Sequence, residues 1–242
     1  METSRSTPLK SKHHPKGVTL LYEDAEIIVV DKPCGLLTMG TERDKSRTVH
    51  SILNDYVRKG NPKSRARVYI VHRLDRDTSG ILLFAKSEQA KTFLQADWDN
   101  TTKVYLAVVS GHVIPPVGTI SSYLAENAAL NVYSTPDPTK GKLSHTEYSL
   151  VKEQKGLSLL RINLLTGRKH QIRVHCAEKG HPVVGDRKYG RGGVATANLA
   201  LHACSISFTH PVNGRRFHFE TAIPALFVRL AGHFELPVVE TA

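Results

Sequence analysis

The chain lacks the features that mark several common protein classes. Its 242 residues hold only three cysteines, Cys34, Cys176 and Cys204, widely scattered and with no CxxC pair. That spacing supports neither a zinc ribbon nor a disulfide framework and fits inert thiols in a reducing compartment. No apolar run approaches the roughly 18 residues a membrane span needs. The amino-terminal METSRSTPLKSKHHPKG has no apolar core, so it does not read as a secretory signal. The phosphate-cradling patterns GxxxxGK[ST] and GxGxxG are missing, and with them the usual sign of a nucleotide cofactor. Despite thirteen histidines there is no HExxH and no carboxylate–histidine cluster at ligand spacing, so no metal is expected. The paired H-x-E and P-C-x-x-C segments of zinc-dependent base deaminases are also lacking. These absences describe a cytoplasmic protein that works without membrane, metal or cofactor.

Acid is scarce as well. Thirty-three Lys and Arg face twenty-two Asp and Glu, leaving a net charge of +11 and a pI near 9.6. Such an excess attracts phosphate backbones and makes binding salt-dependent. A solvated basic surface with no particular partner is the plain alternative on charge alone. Residues 1–17 are polar and basic and read as a disordered tail.

Beyond that tail there is no long linker and no internal repeat. Val18–Tyr22 and Ile27–Val30 are apolar runs around a turn at Glu23–Ala25, and Pro33 stops the second, which predicts a hairpin. Val49, Ile52, Leu53 and Tyr56 recur at helical spacing, with Gly60 as the stop. A basic loop follows from Lys59 to Arg67. Strands are predicted at Val68–Val71, Gly80–Ala85, Lys103–Ser110, Thr146–Leu150, Leu157–Leu165, Ser205–Phe208 and Arg216–Glu220. Ser87 is placed to cap a helix carrying Phe93, Leu94 and Trp98 on one face. His170–Lys179 reads as a helix ended by Gly180, and Pro224 opens a last one through Leu230. The fold class is α+β, strand-rich, with the charges in the loops.

Two segments hold the chemistry. HRLDRDTSG, His72 to Gly80, lies between two apolar strands and packs Arg73, Asp75, Arg76 and Asp77 into five positions. Such a turn often only satisfies itself. LTGRKHQIRVHCAEKGHPVVGD follows later, with His170 and Arg173 on one helix face and Ile172 and Cys176 on another. A run this cationic is often an exposed helix, yet Gly167 and Gly185 bracket it at turns, as binding loops require. A carboxylate, arginines, tyrosines and a positive surface suit cofactor-free covalent or acid–base chemistry on a nucleic acid.

With four further segments, these two resemble the signature segments of the RluA family of pseudouridine synthases. The resemblance runs from YEDAEIIVVDKPCGLLT (Tyr22–Thr38) through HRLDRDTSGILLFAK (His72–Lys86), KVYLAVVSG (Lys103–Gly111) and KLSHTEY (Lys142–Tyr148). It continues with LTGRKHQIRVHCAEKGHPVVGDRKYG (Leu165–Gly190) and LHACSISFTHPVNG (Leu201–Gly214). It implies a mixed, mostly antiparallel central sheet with flanking helices and loops, one catalytic domain over 18–242, and no small N-terminal RNA-binding module. It further implies that Asp75 is the catalytic aspartate, Arg173 its ion-pair partner and Tyr105 the active-site tyrosine that stacks on the target base. Arg73 would replace the flipped nucleotide in the RNA helix, and Ile172 would touch the base. Arg76, Arg168, Lys169 and His170 would contact the RNA, a structured ribosomal or transfer RNA met by a monomer. Ser144 departs from the Ala common in relatives. The isomerisation needs no redox change: a carboxylate can trap or stabilise the sugar cation, or take a ribose proton. A stacked uridine must be flipped out, at a cost of a few kcal/mol. A catalytically silent RNA binder on the same fold would not need Asp75, Tyr105 and Arg173 together. A methyltransferase would need a Gly-rich loop where Glu23–Ala25 stands.

Overall fold

The computed structural model describes residues 14–40 and 47–236, with eleven strands and four helices among them. The expected tail lies, up to residue 13, outside the described residues. Two compact units divide the chain, one from its start to Val104 with Ala203–Ala222, the other from Tyr105–His202 with Ile223 onward.

The first unit begins with the hairpin of β1 (Thr19–Glu23) and β2 (Ile27–Lys32). Asp24 builds its turn. Its Oδ1 accepts from the backbone N–H of Glu26 and Ile27 at 2.8 Å each, and Oδ2 takes the Tyr22 hydroxyl and His210 Nε2; an Asx turn of this kind stands in for a backbone turn. Helix α1 (Val49–Arg58) is capped by Thr48, whose side chain accepts from Ser51 N while Ser51 returns the bond. It buries Val49, Ile52 and Leu53 as its spacing predicts, and Lys59 ends it in the left-handed conformation. β3 is shorter than expected, only Tyr69–Ile70, and pairs with β4 (Ser79–Ala85). Ser87 caps α2 (Glu88–Ala96) by accepting from Ala90 N. Here the expected face is corrected: Ala90 and Leu94 are buried, Phe93 is exposed, and Trp98 lies beyond the helix in a separate turn, Trp98–Asn100. Asp97 interrupts the helical spacing between them.

β2 pairs antiparallel with β4, and β10 (Leu201–Thr209) with β11 (Arg216–Glu220). Ile27, Val29, Ile81, Leu83, Ile206, Phe208 and Phe219 form one core with Ala90 and Leu94 of α2. Successive strand residues face opposite sides, so Ile28, Val30, Leu82 and Phe84, also buried, belong to the other face. Burial on both faces explains why β2 and β4 read as continuous apolar runs.

The second unit carries β5 (Thr102–Ser110) from Tyr105 on, β6 (Val117–Glu126), β7 (Val132–Thr135), β8 (Lys142–Gln154) and β9 (Leu157–Leu164). The β6–β7, β6–β8 and β8–β9 pairings are antiparallel. β6 and β7 escape a reading of the sequence because they are half-exposed and rich in Ser and Thr. β8 is thirteen residues long, far beyond the expected Thr146–Leu150, because most of its side chains are only half-buried and give no clean alternation. Helix α3 (Gln171–Glu178) packs on β6, β7 and β8, and α4 (Ala225–Ala231), led by Pro224, packs on β8 and β9.

Candidate active site

The loop from His72 to Gly80 is clamped through its backbone. Thr38 Oγ1 donates to the Leu74 carbonyl at 2.8 Å and accepts from Leu74 N at 3.2 Å. Gly35 N donates to the Arg76 carbonyl at 2.9 Å, and Cys34 Sγ to that of Asp77 at 3.0 Å. The segment Lys32–Thr38 is therefore the cradle of the loop. Its firmest member is Lys32, whose three ammonium protons reach the carbonyls of Pro33 at 3.0 Å, Leu36 at 2.8 Å and Arg76 at 2.9 Å. Lys32 is fully buried, and that burial pushes its pKa down to about 8 against the pull of Cys34, Asp77, Asp75 and Asp31. Asp31 beside it is pushed up to about 6 by burial, with Lys32 opposing.

Above this clamp Asp75 is half-buried, while the side chains of Arg73, Arg76 and Asp77 are exposed. Arg73 Nη1 lies 3.8 Å from Met39 Sδ. His72 does different work: its Nε2 accepts from Leu83 N at 3.0 Å and its ring lies 4.8 Å from that of Trp98. Burial, then the Lys103 charge, pushes its pKa down to about 3. A neutral ring bonded to the main chain of β4 is structural. At the end of the loop Gly80 has φ +115°, and a Cβ there would meet the Ala203 carbonyl at 2.2 Å, so only glycine fits.

In the other unit, the turn before α3 is assembled around Gln171. Its Oε1 accepts from Thr166 Oγ1 at 2.9 Å and Arg168 N at 3.0 Å; its Nε2 donates to the His145 carbonyl and to Thr146 Oγ1, both at 2.9 Å. His175 Nδ1 lies 2.9 Å from the same Thr146 Oγ1, and its Nε2 lies 3.1 Å from Ser122 Oγ. Burial, followed by the charges of His145 and Lys179, pushes His175 down to about 4, in keeping with a neutral ring. The exposed cationic helix that the sequence allowed is corrected: Gln171 through Cys176 are all buried. Of the two bracketing glycines, Gly185 has φ +79° with no room for a Cβ, whereas Gly167 has open space and no left-handed backbone.

Arg173 forms a bidentate pair with Asp186, Nε to Oδ2 at 2.7 Å and Nη2 to Oδ1 at 2.8 Å, and its guanidinium lies 5.1 Å from the centre of the Tyr189 ring. Asp186 is fixed in turn by the N–H groups of Lys188 and Tyr189. Although burial alone would raise it, the Arg173 bonds and charge hold its carboxyl below the ordinary carboxylate value. His170, in the left-handed conformation at φ 54°, places Nδ1 2.7 Å from the Tyr189 hydroxyl. Burial, then the charges of Arg173, Lys188 and Lys169, lowers His170 to about 4, so it contributes no cation at neutral pH. Lys169 pairs with Glu126, Arg168 is exposed, and Ile172 and Tyr105 are buried.

The residues singled out from the sequence thus fall in both units: Arg73, Asp75 and Arg76 in the first, Tyr105, Arg168, Lys169, His170, Ile172 and Arg173 in the second. Sequence reasoning missed Lys32, Asp186, Tyr189 and the Gln171–Thr146–His175 chain. Lys32 had a signal, a charged pair closing the buried strand IIVVDK; Asp186 had one in its place directly after the constrained Gly185.

Comparison with known proteins agrees with this build. The family model described as RNA pseudouridylate synthase matches residues 26–178. The ribosomal large subunit pseudouridine synthase D of Zymomonas mobilis is 32% identical over 234 residues, covering 90% of this chain and 73% of that protein. The ribosomal large subunit pseudouridine synthase C of Vibrio vulnificus is 35% identical over 219 residues, covering 87% and 67%. Among solved structures, human RNA pseudouridylate synthase domain containing 1 shares the fold with a TM-score of 0.73 at 24% identity, covering 95% of this chain and 94% of its own. The six segments, the α+β build and a family match over more than half the chain converge: this chain belongs to the RNA pseudouridine synthase family, in its RluA group, and is an isomerase.

Proposed function

We propose that this enzyme isomerises particular uridines in a folded ribosomal or transfer RNA, flipping each out of its stack and using Asp75 as the catalytic carboxylate. The observation that best supports the reading is the clamp beneath the loop. A fully buried lysine and the Thr38 hydroxyl fix the backbone on either side of Asp75, while Asp75 itself is half-buried. A group that must meet substrate in one geometry benefits from such support. In the reaction the C1′–N1 bond of the uridine breaks, the uracil turns, C1′ bonds to C5, C5 gives up its proton and N1 takes one up, so that the product is an isomer. Asp75 either bonds to or stabilises the ribose or takes a ribose proton, and Arg173 supplies the cation that favours its ionised form. Tyr105 stacks on the base, Ile172 adds apolar contact, and Arg73 fills the vacated place in the RNA. Arg76, Arg168 and Lys169 hold phosphates; His170, neutral, serves the turn that carries them.

Mapping of pseudouridine-specific carbodiimide adducts, on total RNA from cells with and without the gene, tests this. Loss of discrete adducts from a ribosomal or transfer RNA, restored by the wild-type chain, is the expected result. An unchanged adduct map would contradict it.

A further inference from the structure

The stretch between α1 and β3 plays no part in the signature segments, yet it is the most one-sided in charge. Arg58, Lys59, Lys63, Arg65 and Arg67 fall within ten residues that contain no acid, and all five are exposed. Several cations elsewhere have an acidic partner: Lys86 pairs with Glu23, Lys91 with Glu88, Lys140 with Asp137 and Lys169 with Glu126. Among the described residues no carboxylate pairs with Lys59, Lys63 or Arg65, and Asp55, one turn back on α1, pairs with neither Arg58 nor Lys59.

The backbone of this stretch is nonetheless ordered. Asn61 N bonds to the Arg58 carbonyl and Ser64 N to that of Asn61. Asn61 Oδ1 accepts from Lys63 N, and Ser64 Oγ from Ala66 N. Arg67 lies over the Tyr69 ring at 5.0 Å and donates to its hydroxyl at 2.8 Å. Two turns in series therefore present cations on a preformed scaffold, which lowers the ordering cost of binding. The stretch itself carries no aromatic ring; of the two tyrosines flanking it, Tyr69 is taken by Arg67 and the Tyr56 hydroxyl donates to Glu23, so it makes a poor base-stacking platform. Cations without stacking groups read phosphate.

Its position gives a distance. Tyr69 pairs with Ala85 at the far end of β4, whereas the Asp75 loop enters β4 at Ser79. Six strand steps at about 3.3 Å separate these ends by about 20 Å. We propose that residues 58–67 form a phosphate-binding arm, which grips double-helical RNA flanking the target, several nucleotides from the uridine being modified. The proposal takes its RNA substrate from the pseudouridine synthase reading but is independent of the role of Asp75.

The test compares wild type with the double variant Lys63→Ala/Arg65→Ala and with the charge-keeping Lys63→Arg/Arg65→Lys. RNA affinity is measured by filter binding from about 50 to 200 mM salt, and kcat and KM on long and trimmed substrates carrying the same uridine. Each lost phosphate contact should flatten the slope of log affinity against log salt by about 0.7–0.9, so the alanine pair should flatten it by roughly 1.4–1.8. KM on the long substrate should rise at least fivefold with kcat within twofold, and the charge-keeping pair should match wild type. On RNA trimmed to the target loop, all three should be alike. An unchanged slope, an equal KM rise on trimmed RNA, or a loss in the charge-keeping pair would overturn the arm. If wild type itself forms no pseudouridine, the functional reading fails, while the salt slopes still judge the arm.

Discussion

In the Asp75 loop the side chains of Arg73, Arg76 and Asp77 stand in solvent, Asp75 is half-buried, and the backbone is held by Lys32 and Thr38. Along residues 171–176 the arrangement is reversed: Gln171, Arg173 and His175 are themselves buried, Gln171 and His175 meeting on Thr146 of β8 and Arg173 pairing with Asp186. The difference teaches how each half of the proposed site is stabilised. A loop that must show a carboxylate to substrate borrows its rigidity from a separate segment. A helix that carries a single cation is held by its own side chains. Damage to the second should therefore cost fold, and damage to the first should cost turnover as well.

Acid should separate the halves most widely. His72, His170, His175 and His202 titrate in the fold at about 3, 4, 4 and 4, below the ordinary 6.5, with burial as the first cause of each. Below about pH 6.5 the unfolded chain binds protons that the fold refuses, so stability falls as pH drops from 6.5 to about 4. Each buried ring contributes up to about 1.4 kcal/mol per pH unit, half-buried His170 less. Asp31, held near 6, takes its proton earlier in the fold and returns part of this between pH 6 and 3.8. Only His72 belongs to the Asp75 loop. Urea midpoints at pH 7, 5.5 and 4.5 should fall steadily; a flat series would mean these rings are not buried neutral.

Asp186→Ala comes next. It strands Arg173 in a buried site, and breaking a buried pair costs about 3–5 kcal/mol. Urea unfolding should register that loss; a change below about 1 kcal/mol would show that the pair does not hold the helix. Lys32→Met should cost about 2–4 kcal/mol, because three carbonyls lose their donor. It should also lower kcat in the fully folded protein while RNA affinity stays within a few-fold. Lys32→Met with wild-type kcat would remove the clamp from the proposed mechanism. At the small end, Phe93→Ser should shift stability by less than about 0.5 kcal/mol, since the ring faces solvent.

What was legible in the sequence follows from how each residue acts. Helix α1 carries its apolar residues at helical spacing, and β2, β4 and β9 are nearly continuous apolar runs, so they are read directly. Asp75, Arg73 and Arg173 are legible through the signature segments. The clamp is not, because Lys32 joins the loop through a single main-chain carbonyl, that of Arg76, 44 residues away, and such an acceptor leaves no mark on side-chain pattern. Asp186 and Tyr189 are joined to Arg173 only by the fold, across 13 and 16 positions in the chain. The signature segments place His170 among the expected RNA contacts; its burial, visible only in three dimensions, makes it neutral.

Asp75→Asn tests the proposed chemistry most directly. Asn is nearly isosteric, and the bonds from Thr38, Gly35 and Lys32 to the loop are to backbone atoms of its neighbours, so the loop should keep its shape. Tritium release from RNA labelled at uracil C5, with enzyme in excess, reports the formation of the new carbon–carbon bond. Turnover should fall by on the order of a thousandfold or more, as for loss of an essential covalent or acid–base group, with RNA affinity unchanged. Asp77→Asn, two residues on and exposed, should stay within tenfold of wild type. An Asp75→Asn enzyme that releases tritium within tenfold of wild type would contradict both the site and the mechanism.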